Sequence, residues 1–189
     1  MSSLPENSLK IENIVASTKV NDSLDLVSLA AQIPGAEYNK QRFPGVVLRM
    51  QDPKIAALVF SSGKVVLTGA KSIDSLTRGL ELLVSILKGL KIEIVGTPAY
   101  TVQNIVTSAD LGSRINLNKI AMSFNLDKIE YEPEQFPGLV YRLDNPKVVV
   151  LLFGSGKLII TGGKIAEDAR RAVIKISEDL VALNLLQIA

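Results

Sequence analysis

Hydrophobic and polar positions recur in the same order in the two halves of the chain. A strand-like run at residues 10–19 leads into a short helix, three strand-length segments and a long helix, and the series starts again near residue 102. The segments at 45–51, 55–60 and 64–68 are rich in Val, Ile and Leu, and the turns between them are so short that they must be antiparallel neighbours. The pattern predicts an α+β protein.

Helix limits follow from caps and spacing. Ser23 or Asp25 is suited to cap the first short helix and Ser72 the first long one, because their side-chain oxygens accept from free backbone N–H groups. Apolar residues at the three-four-three spacing of one buried face run through residues 73–90. The second long helix repeats them as far as Leu183.

The duplication is explicit between residues 43–71 and 136–164. Both read Phe-Pro-Gly, Arg, Pro-Lys, Phe, Ser-Gly-Lys, Thr-Gly and Lys at matching positions, ninety-three residues apart. An Asn-Ile-Val run at 13–15 returns ninety-one residues later, so the second half carries a two-residue insertion before Phe136. Such long gapless agreement indicates two copies of one structural unit.

The repeats imply a division of the chain. We predict a flexible N-terminus at 1–9, a first repeat at 10–98 and a second repeat at 99–189. A further strand is predicted at 91–95, so no flexible linker separates the repeats, which are expected to form one compact unit.

The strands are apolar on both sides, which is unusual for hairpins. Segments 55–60 and 148–153 carry apolar residues at both odd and even positions, whereas a half-buried antiparallel strand alternates apolar and polar residues. Four helices can cover one face of the sheet. The other face requires a cover, and a sandwich or second copy of the protein, a lipid-like ligand and a macromolecule all remain open.

Composition removes several classes of function. The 189 residues include no Cys, His or Trp, so disulfides, thiolate or imidazole metal sites and the commonest catalytic base and nucleophile are excluded. We predict no enzyme activity, no catalytic residue, no metal and no cofactor. Neither a signal peptide nor a membrane-length apolar run is found, which favours an intracellular protein without a membrane partner. A net charge of +2 means that any nucleic-acid binding must use cations gathered on one face.

Polar residues on the uncovered face suggest its ligand. Lys64, Val66 and Thr68 share one side of their strand, and the second repeat places Lys, Ile and Thr in the same way. The minor groove of A·T pairs presents only hydrogen-bond acceptors. Asn amides and Thr hydroxyls donate to such acceptors, Val and Ile pack on the groove floor, and Lys and Arg neutralise phosphates. Phe at strand ends is suited to wedge between base steps.

These residues resemble the TATA-box-binding protein family, over roughly residues 11–183. The two Phe-Pro-Gly blocks, both Asn-Ile-Val runs and the Tyr-Glu-Pro-Glu run at 131–134 carry the resemblance. The family, itself a known case of minor-groove binding with kinking, implies a saddle: a curved antiparallel sheet of about ten strands, with four helices on its convex face and two pseudo-symmetric repeats. Phe-Pro-Gly in both halves is typical of archaeal members.

The resemblance also implies roles for individual residues. The DNA-intercalating wedges are Phe43, Phe60, Phe136 and Phe153. The base-contacting residues are Asn13, Asn104, Thr68 and Thr161, together with the apolar Val15, Val66, Val106, Ile159, Leu58 and Leu151. The phosphate-contacting residues are Arg49, Lys64, Lys71, Arg142, Lys157 and Lys164. Glu132 and Glu134 are the partner-binding residues, at the place where the family meets transcription factor B.

The implied function is that of a general transcription initiation factor. It binds double-stranded A·T-rich promoter DNA, kinks it, and recruits transcription factor B and, indirectly, RNA polymerase. Its place would be the cytoplasm, on the nucleoid, in an archaeon, or the nucleus in a eukaryote. Two alternatives stay open: a scaffold of the same fold that recognises RNA or hybrid duplexes, and a homodimer, formed without DNA, whose sheet face binds apolar groups.

Overall fold

The computed structural model describes residues 5–187, and residues 1–4 and 188–189 lie outside it. Internal contacts divide the described chain into two compact units, residues 13–103 and residues 5–12 with 104–187. We call them the first and the second unit. Each unit contains most of one predicted repeat, but residues 10–12 belong to the second unit and residues 99–103 to the first. The predicted α+β class is confirmed.

The first unit contains a four-stranded antiparallel sheet in the order β2-β3-β4-β1. Its helices pack on one side, since α1 contacts β2 and α2 contacts β3 and β4. Its elements, including the three residues of β1 that belong to the second unit, are β1 (Lys10–Lys19), α1 (Leu26–Gln32), β2 (Gly45–Gln51), β3 (Lys54–Phe60), β4 (Lys64–Ala70) and α2 (Ile73–Gly89).

The second unit repeats this plan with the order β5-β9-β8-β7-β6. Helix α4 packs on β8 and β9, as α2 does on its counterparts. Its elements, including the three residues of β5 that belong to the first unit, are β5 (Thr101–Asp110), α3 (Leu117–Ser123), β6 (Ile129–Glu130), β7 (Leu139–Asp144), β8 (Lys147–Leu152), β9 (Lys157–Gly163) and α4 (Ala166–Ala182).

The described residues thus form nine strands, where about ten were predicted. The difference has a local cause. Strand β6 pairs with β7 over two residues, whereas its counterpart in the first unit is a single bridge between Glu37 and Val47. The inserted residues precede β6, where a short 3-10 helix, Leu126–Lys128, has no equivalent in the first unit.

The caps agree with the sequence. The Asp25 carboxylate accepts the backbone N–H groups of Val27 and Ser28, each at 3.1 Å, and the Ser72 hydroxyl accepts that of Ser75 at 3.1 Å. Each capped helix end thereby satisfies donors that the first turn leaves unpaired.

The strand predicted at residues 91–95 is wrong. Helix α2 ends in a Schellman turn, in which Ile92 N–H donates to the Leu87 carbonyl at 3.0 Å and Lys91 takes a positive φ of 60°. The backbone beyond it is held by isolated bonds, such as the Val95 N–H to the Val20 carbonyl at 2.9 Å, rather than by a ladder. Ile92 and Ile94 are half-buried and Val95 is 50% exposed, so this apolar segment is not part of the sheet.

Two residues predicted on buried helix faces are exposed. Ile73 is 49% exposed and Leu183 42% exposed. Ile73 is the first residue of α2 and Leu183 lies just beyond α4, so the packed stripe ends before it reaches them.

The N-terminal segment differs from the flexible end predicted for residues 1–9. Pro5–Ser8 form a 3-10 helix that packs against α4, with Pro5 buried. The Ser8 hydroxyl also accepts the Asp110 N–H at 2.7 Å. These contacts order residues 5–8, while residues 1–4 lie outside the described chain.

Candidate nucleic-acid interface

Alternate residues of each sheet turn away from the helices. In β3, Ile55, Ala57 and Val59 are at most 3% exposed beneath the helices, whereas Ala56, Leu58 and Phe60 are only half-buried. We call the second set, with its neighbours on the other strands, the open face of the unit. Its apolar character explains why the strands lack alternation.

Strand register aligns the apolar residues of each open face into rows. In the first unit Leu58 pairs with Val47 on one side and Val66 on the other. In the second unit Leu151 pairs in the same way with Val140 and Ile159. Within its unit, each row ends at a serine, which is Ser17 of β1 in the first unit and Ser108 of β5 in the second.

A β-bulge places the polar pair of each open face. In the first unit the register between β1 and β4 slips by one residue beside Thr68, and Gly69 takes a φ of +98°, which an L side chain rarely adopts. The freed Gly69 N–H donates to the side-chain oxygen of Asn13 at 2.7 Å. The second unit repeats this bond between Gly162 and Asn104, also at 2.7 Å.

This bond fixes which way the Asn amide points. Since an N–H must face an acceptor, the Asn13 oxygen is committed to the bulge and its NH2 group is presented outward. One amide hydrogen goes to the Thr68 hydroxyl at 3.2 Å, and the matching Asn104–Thr161 distance is 3.0 Å. The second amide hydrogen has no acceptor among the described residues.

The Thr hydroxyl proton is also available. Its acceptor within the described chain is the Asn oxygen, at 3.5 Å for Thr68 and 3.3 Å for Thr161, longer than an ordinary O–H···O bond. Each open face therefore displays donors, an N–H and an O–H, while its strongest acceptor is already used. Such a cluster is matched to a ligand surface that consists of acceptors.

A pair of Phe rings stands at the end of each open face. The ring centroids of Phe43 and Phe60 are 5.6 Å apart, and those of Phe136 and Phe153 5.9 Å apart. None of these rings is a fully buried core residue. Phe43, Phe60 and Phe153 are half-buried, and Phe136 is 39% exposed.

A glycine lies beneath each pair of rings, and a side chain there would crowd them. A Cβ on Gly138 would lie 2.7 Å from the Phe136 ring and 3.0 Å from the Phe153 ring. Gly45 is similarly enclosed, at 3.0 Å from Phe43 and 3.2 Å from Phe60. The glycine of Phe-Pro-Gly therefore seats the two rings against the start of a strand.

The predicted phosphate contacts fall into two groups. Lys64, Lys157 and Lys164 are exposed and have no ion-pair partner within residues 5–187. Lys71 is also exposed, but it interacts with another group of the protein. The two arginines are paired: Arg49 with Glu37 at 2.7 Å and Arg142 with Glu130 at 2.9 Å. Both pairs are solvent-exposed, so an external phosphate can compete for the guanidinium.

The second unit contains an ion pair on β7, the strand of Arg142, that involves the inserted residues. Lys128, in the inserted 3-10 helix, donates to Asp144 at 2.6 Å. This hydrogen bond and the charge attraction raise the pKa of Lys128 and lower the pKa of Asp144. Both groups stay ionised near neutral pH, and the pair ties the insertion to β7.

Glu132 and Glu134 lie together in an exposed turn directly before Phe136. The turn is closed by the Phe136 N–H, which donates to the Glu132 carbonyl at 3.0 Å. Both carboxylates face solvent, as a contact with another macromolecule requires.

Sequence reasoning missed several open-face residues. Val47 and Val140 complete the apolar rows, and strand parity alone would have found them. Glu12 was also missed: its carboxylate accepts the Ser108 hydroxyl at 2.9 Å, whereas the equivalent bond in the first unit runs from the Gln103 amide to Ser17 at 2.9 Å.

The described residues hold neither a cluster suited to a metal ion nor a helix suited to span a membrane. No group of three or more acidic side chains is placed to hold a metal ion. No helix within residues 5–187 has both the length and the apolar content needed to cross a membrane.

The fold and the open faces define an internally duplicated α+β protein whose repeats each combine an apolar row, an Asn–Thr donor pair and a Phe pair. The family model described as "Transcription factor TFIID (or TATA-binding protein, TBP)" matches residues 8–90 and 99–183. The chain belongs to this family of DNA-binding transcription factors, which are not enzymes.

Archaeal relatives match over almost the whole chain. The TATA-box-binding protein of Archaeoglobus fulgidus is 56% identical, covering 94% of this chain and 97% of the relative. TATA-box-binding protein 2 of Haloferax volcanii is 57% identical, covering 96% and 98%. The solved structure of Methanococcus jannaschii TBP is 48% identical with a TM-score of 0.84, covering 93% of this chain and 99% of that one.

Proposed function

We propose that this protein initiates transcription by binding the minor groove of an A·T-rich promoter through both open faces. The observation that carries the proposal is the Asn–Thr pair, which presents an amide hydrogen and a hydroxyl hydrogen while its amide oxygen is committed to the N–H of Gly69 or Gly162. The floor of an A·T minor groove presents the acceptors adenine N3 and thymine O2. A G·C pair adds the guanine amino group, which would bring donor against donor and crowd the apolar rows.

The Phe pairs support a kinked complex. Each pair is partly exposed and lies at the end of β3 or β8, a position from which a ring can enter a base step. Partial unstacking at such a step bends the duplex toward the major groove and lets more protein surface reach it. Exposed Lys64, Lys157 and Lys164 then contact the phosphates of the bent strands.

Glu132 and Glu134 are proposed to bind transcription factor B, which brings RNA polymerase to the promoter. Both carboxylates are exposed, and neither has an ion-pair partner within residues 5–187. A partner with a basic docking surface fits this charge. The place of action would then be promoter DNA, in the nucleoid if the source is an archaeon.

Base analogues test the groove assignment directly. Affinity is measured at one stated salt concentration for a TATA duplex, for the same duplex with two central A·T pairs changed to G·C, and for a third with inosine·cytosine pairs there. Inosine lacks the guanine amino group but keeps the major-groove pattern of guanine. We expect the inosine duplex to bind nearly as well as TATA and the G·C duplex at least tenfold more weakly. Equal binding of all three would overturn the proposal.

A homodimer without DNA is a second candidate, favoured by the half-buried apolar rows of Val47, Leu58 and Val66 and their counterparts. Sedimentation across a concentration series would detect it. If DNA and dimerisation use the same face, saturating TATA duplex must dissolve the dimer. A scaffold for RNA would instead prefer an RNA–DNA hybrid to the TATA duplex in the same binding assay.

A further inference from the structure

The turns that precede the two Phe-Pro-Gly motifs have the same backbone and opposite charge. We call residues 39–42 the first turn and residues 132–135 the second turn. In the first, the N–H groups of Arg42 and Phe43 donate to the Asn39 carbonyl, both at 2.9 Å. In the second, Gln135 and Phe136 donate to the Glu132 carbonyl at 2.9 and 3.0 Å.

The two turns differ in the charge of their side chains. The first turn carries Lys40 and Arg42, and the second carries Glu132 and Glu134 at different positions of the same frame. All four side chains are exposed. Within residues 5–187 neither Lys40 nor Arg42 has an ion-pair partner, so both charges are available to an external anion.

We infer that the first turn binds DNA phosphates beyond the base step next to Phe43, whereas the second turn leaves the DNA flank at its own end unbound. This inference rests on the proposed function. It gives the duplicated protein a DNA footprint that extends further at the first repeat than at the second.

Reach supports the assignment. Arg42 is adjacent to Phe43 and Lys40 is three residues from it, so both backbones lie within about 11 Å of the proposed wedge. A duplex carries one phosphate per roughly 1.7 Å of its axis. With the Phe43 ring at a base step, the flanking phosphates therefore lie within range of these long side chains.

Charge repulsion supports the other half of the inference, that the second turn does not bind DNA. Two carboxylates at the second turn would meet the same phosphate density with the wrong sign, and like charges across an interface disfavour contact. The second turn is then left to a protein partner, and the two ends of the complex differ although the repeats are alike.

The test compares charge-neutral variants on duplexes of different length. The variant Lys40→Gln/Arg42→Gln is matched by Lys88→Gln/Lys91→Gln, which removes two exposed cations at the end of α2. Affinity is measured over a salt series on a TATA duplex with long flanks and on one trimmed to the TATA element.

On the long duplex, the first-turn variant should lower the slope of log K against log salt by about 1.8, the value expected for two lost phosphate contacts. On the trimmed duplex it should behave like the wild type, and the α2 variant should match the wild type on both. First-turn and α2 variants with equal slopes on the long duplex would overturn the inference.

Orientation gives an independent measurement. Because the chain has no Cys, Ser61→Cys provides a single attachment point for an iron chelate that cleaves nearby DNA. On a TATA duplex with a flank on one side, the wild type should place its first repeat toward that flank, and the first-turn variant should show no preference.

The remaining outcomes are distinct. If wild type fails to bind TATA DNA, the proposed function fails and this inference falls with it. If wild type binds but the first-turn variant loses neither affinity nor orientation, only the inference fails. Unchanged DNA binding with lost transcription would assign the first turn to an acidic protein instead.

Discussion

Asn104 donates its side-chain amide to the Thr161 hydroxyl at 3.0 Å, while its oxygen accepts the Gly162 N–H at 2.7 Å. The pair unites three features: a bulge that needs a glycine, an amide held in one orientation, and two hydrogens left for a ligand. The first repeat builds the same arrangement from Asn13, Thr68 and Gly69.

Asn104→Asp should separate folding from binding. The carboxylate keeps an acceptor for the Gly162 N–H but replaces the outward NH2 with a second, charged acceptor. Binding to A·T DNA should fall roughly ten- to hundredfold, for the loss of a donor opposite a buried acceptor. Fluorescence anisotropy at fixed salt measures the affinity, and thermal unfolding should change little. Thr161→Ser, which keeps the hydroxyl, is the control, and undiminished binding by Asn104→Asp would remove the pair from the base contacts.

Phe153→Ala should reduce DNA bending more than it reduces stability, because the ring is partly exposed. Fluorescence transfer between the ends of a labelled TATA duplex measures the bend. The matched control is Phe124→Ala, which removes a ring packed 5.3 Å from that of Tyr141. The control should lower the unfolding temperature and leave bending intact. Full bending by the Phe153 variant would end its assignment as a wedge.

Gly138→Ala should disturb the Phe pair from below. The new methyl group would stand 2.7 Å from the Phe136 ring, so at least one ring must move. We expect weaker bending at the second repeat and a modest loss of stability, about 1–3 kcal/mol for overpacking. Gly154→Ala is the control, since its Cβ meets only the Ile115 carbonyl at 3.8 Å. If the two variants bend DNA equally, the glycine has no role in seating the rings.

The repeated motifs and strand parity were enough to predict the Asn, Thr and Phe residues that the structure gathers on each open face. The hydrogen-bond partners of these side chains are harder to predict, because they depend on strand pairing between residues far apart in the sequence. The commitment of the Asn13 oxygen arises from a bulge fifty-six residues away, at Gly69. Strand composition shows neither the bulge nor its unpaired N–H.

Some local backbone conformations could not be predicted from the sequence either. Residues 91–95 look like a strand, but Lys91 adopts a left-handed conformation that only the packed end of α2 imposes. The Glu37–Arg49 pair was likewise hidden, since Glu37 reaches β2 through a single bridge to Val47.

Glu37→Gln should strengthen DNA binding. The change releases the Arg49 guanidinium from a carboxylate at 2.7 Å, so less competition opposes a phosphate contact. The slope of log K against log salt should become steeper by up to about 0.9, as expected for one more phosphate contact. Glu81→Gln, on the exposed side of α2, is the control for net charge. A slope identical to that of the control would exclude Arg49 from the phosphate contacts.

Two threonines on the helix side of the sheets should respond in opposite directions to the loss of their hydroxyls. Thr107 is 3% exposed and its hydroxyl has no partner within the described chain, whereas the Thr18 hydroxyl donates to the Ala99 carbonyl at 2.8 Å. Thr107→Val should therefore raise stability by about 1 kcal/mol, because a buried unpaired polar group is removed. Thr18→Val should lower stability by about the same amount, since it breaks a made bond. For a chain of this size each effect corresponds to about 2–4 °C in unfolding temperature, measurable by calorimetry. Destabilisation by both changes would mean that the Thr107 hydroxyl is bonded to water in the cavity beside Leu9 and Arg170.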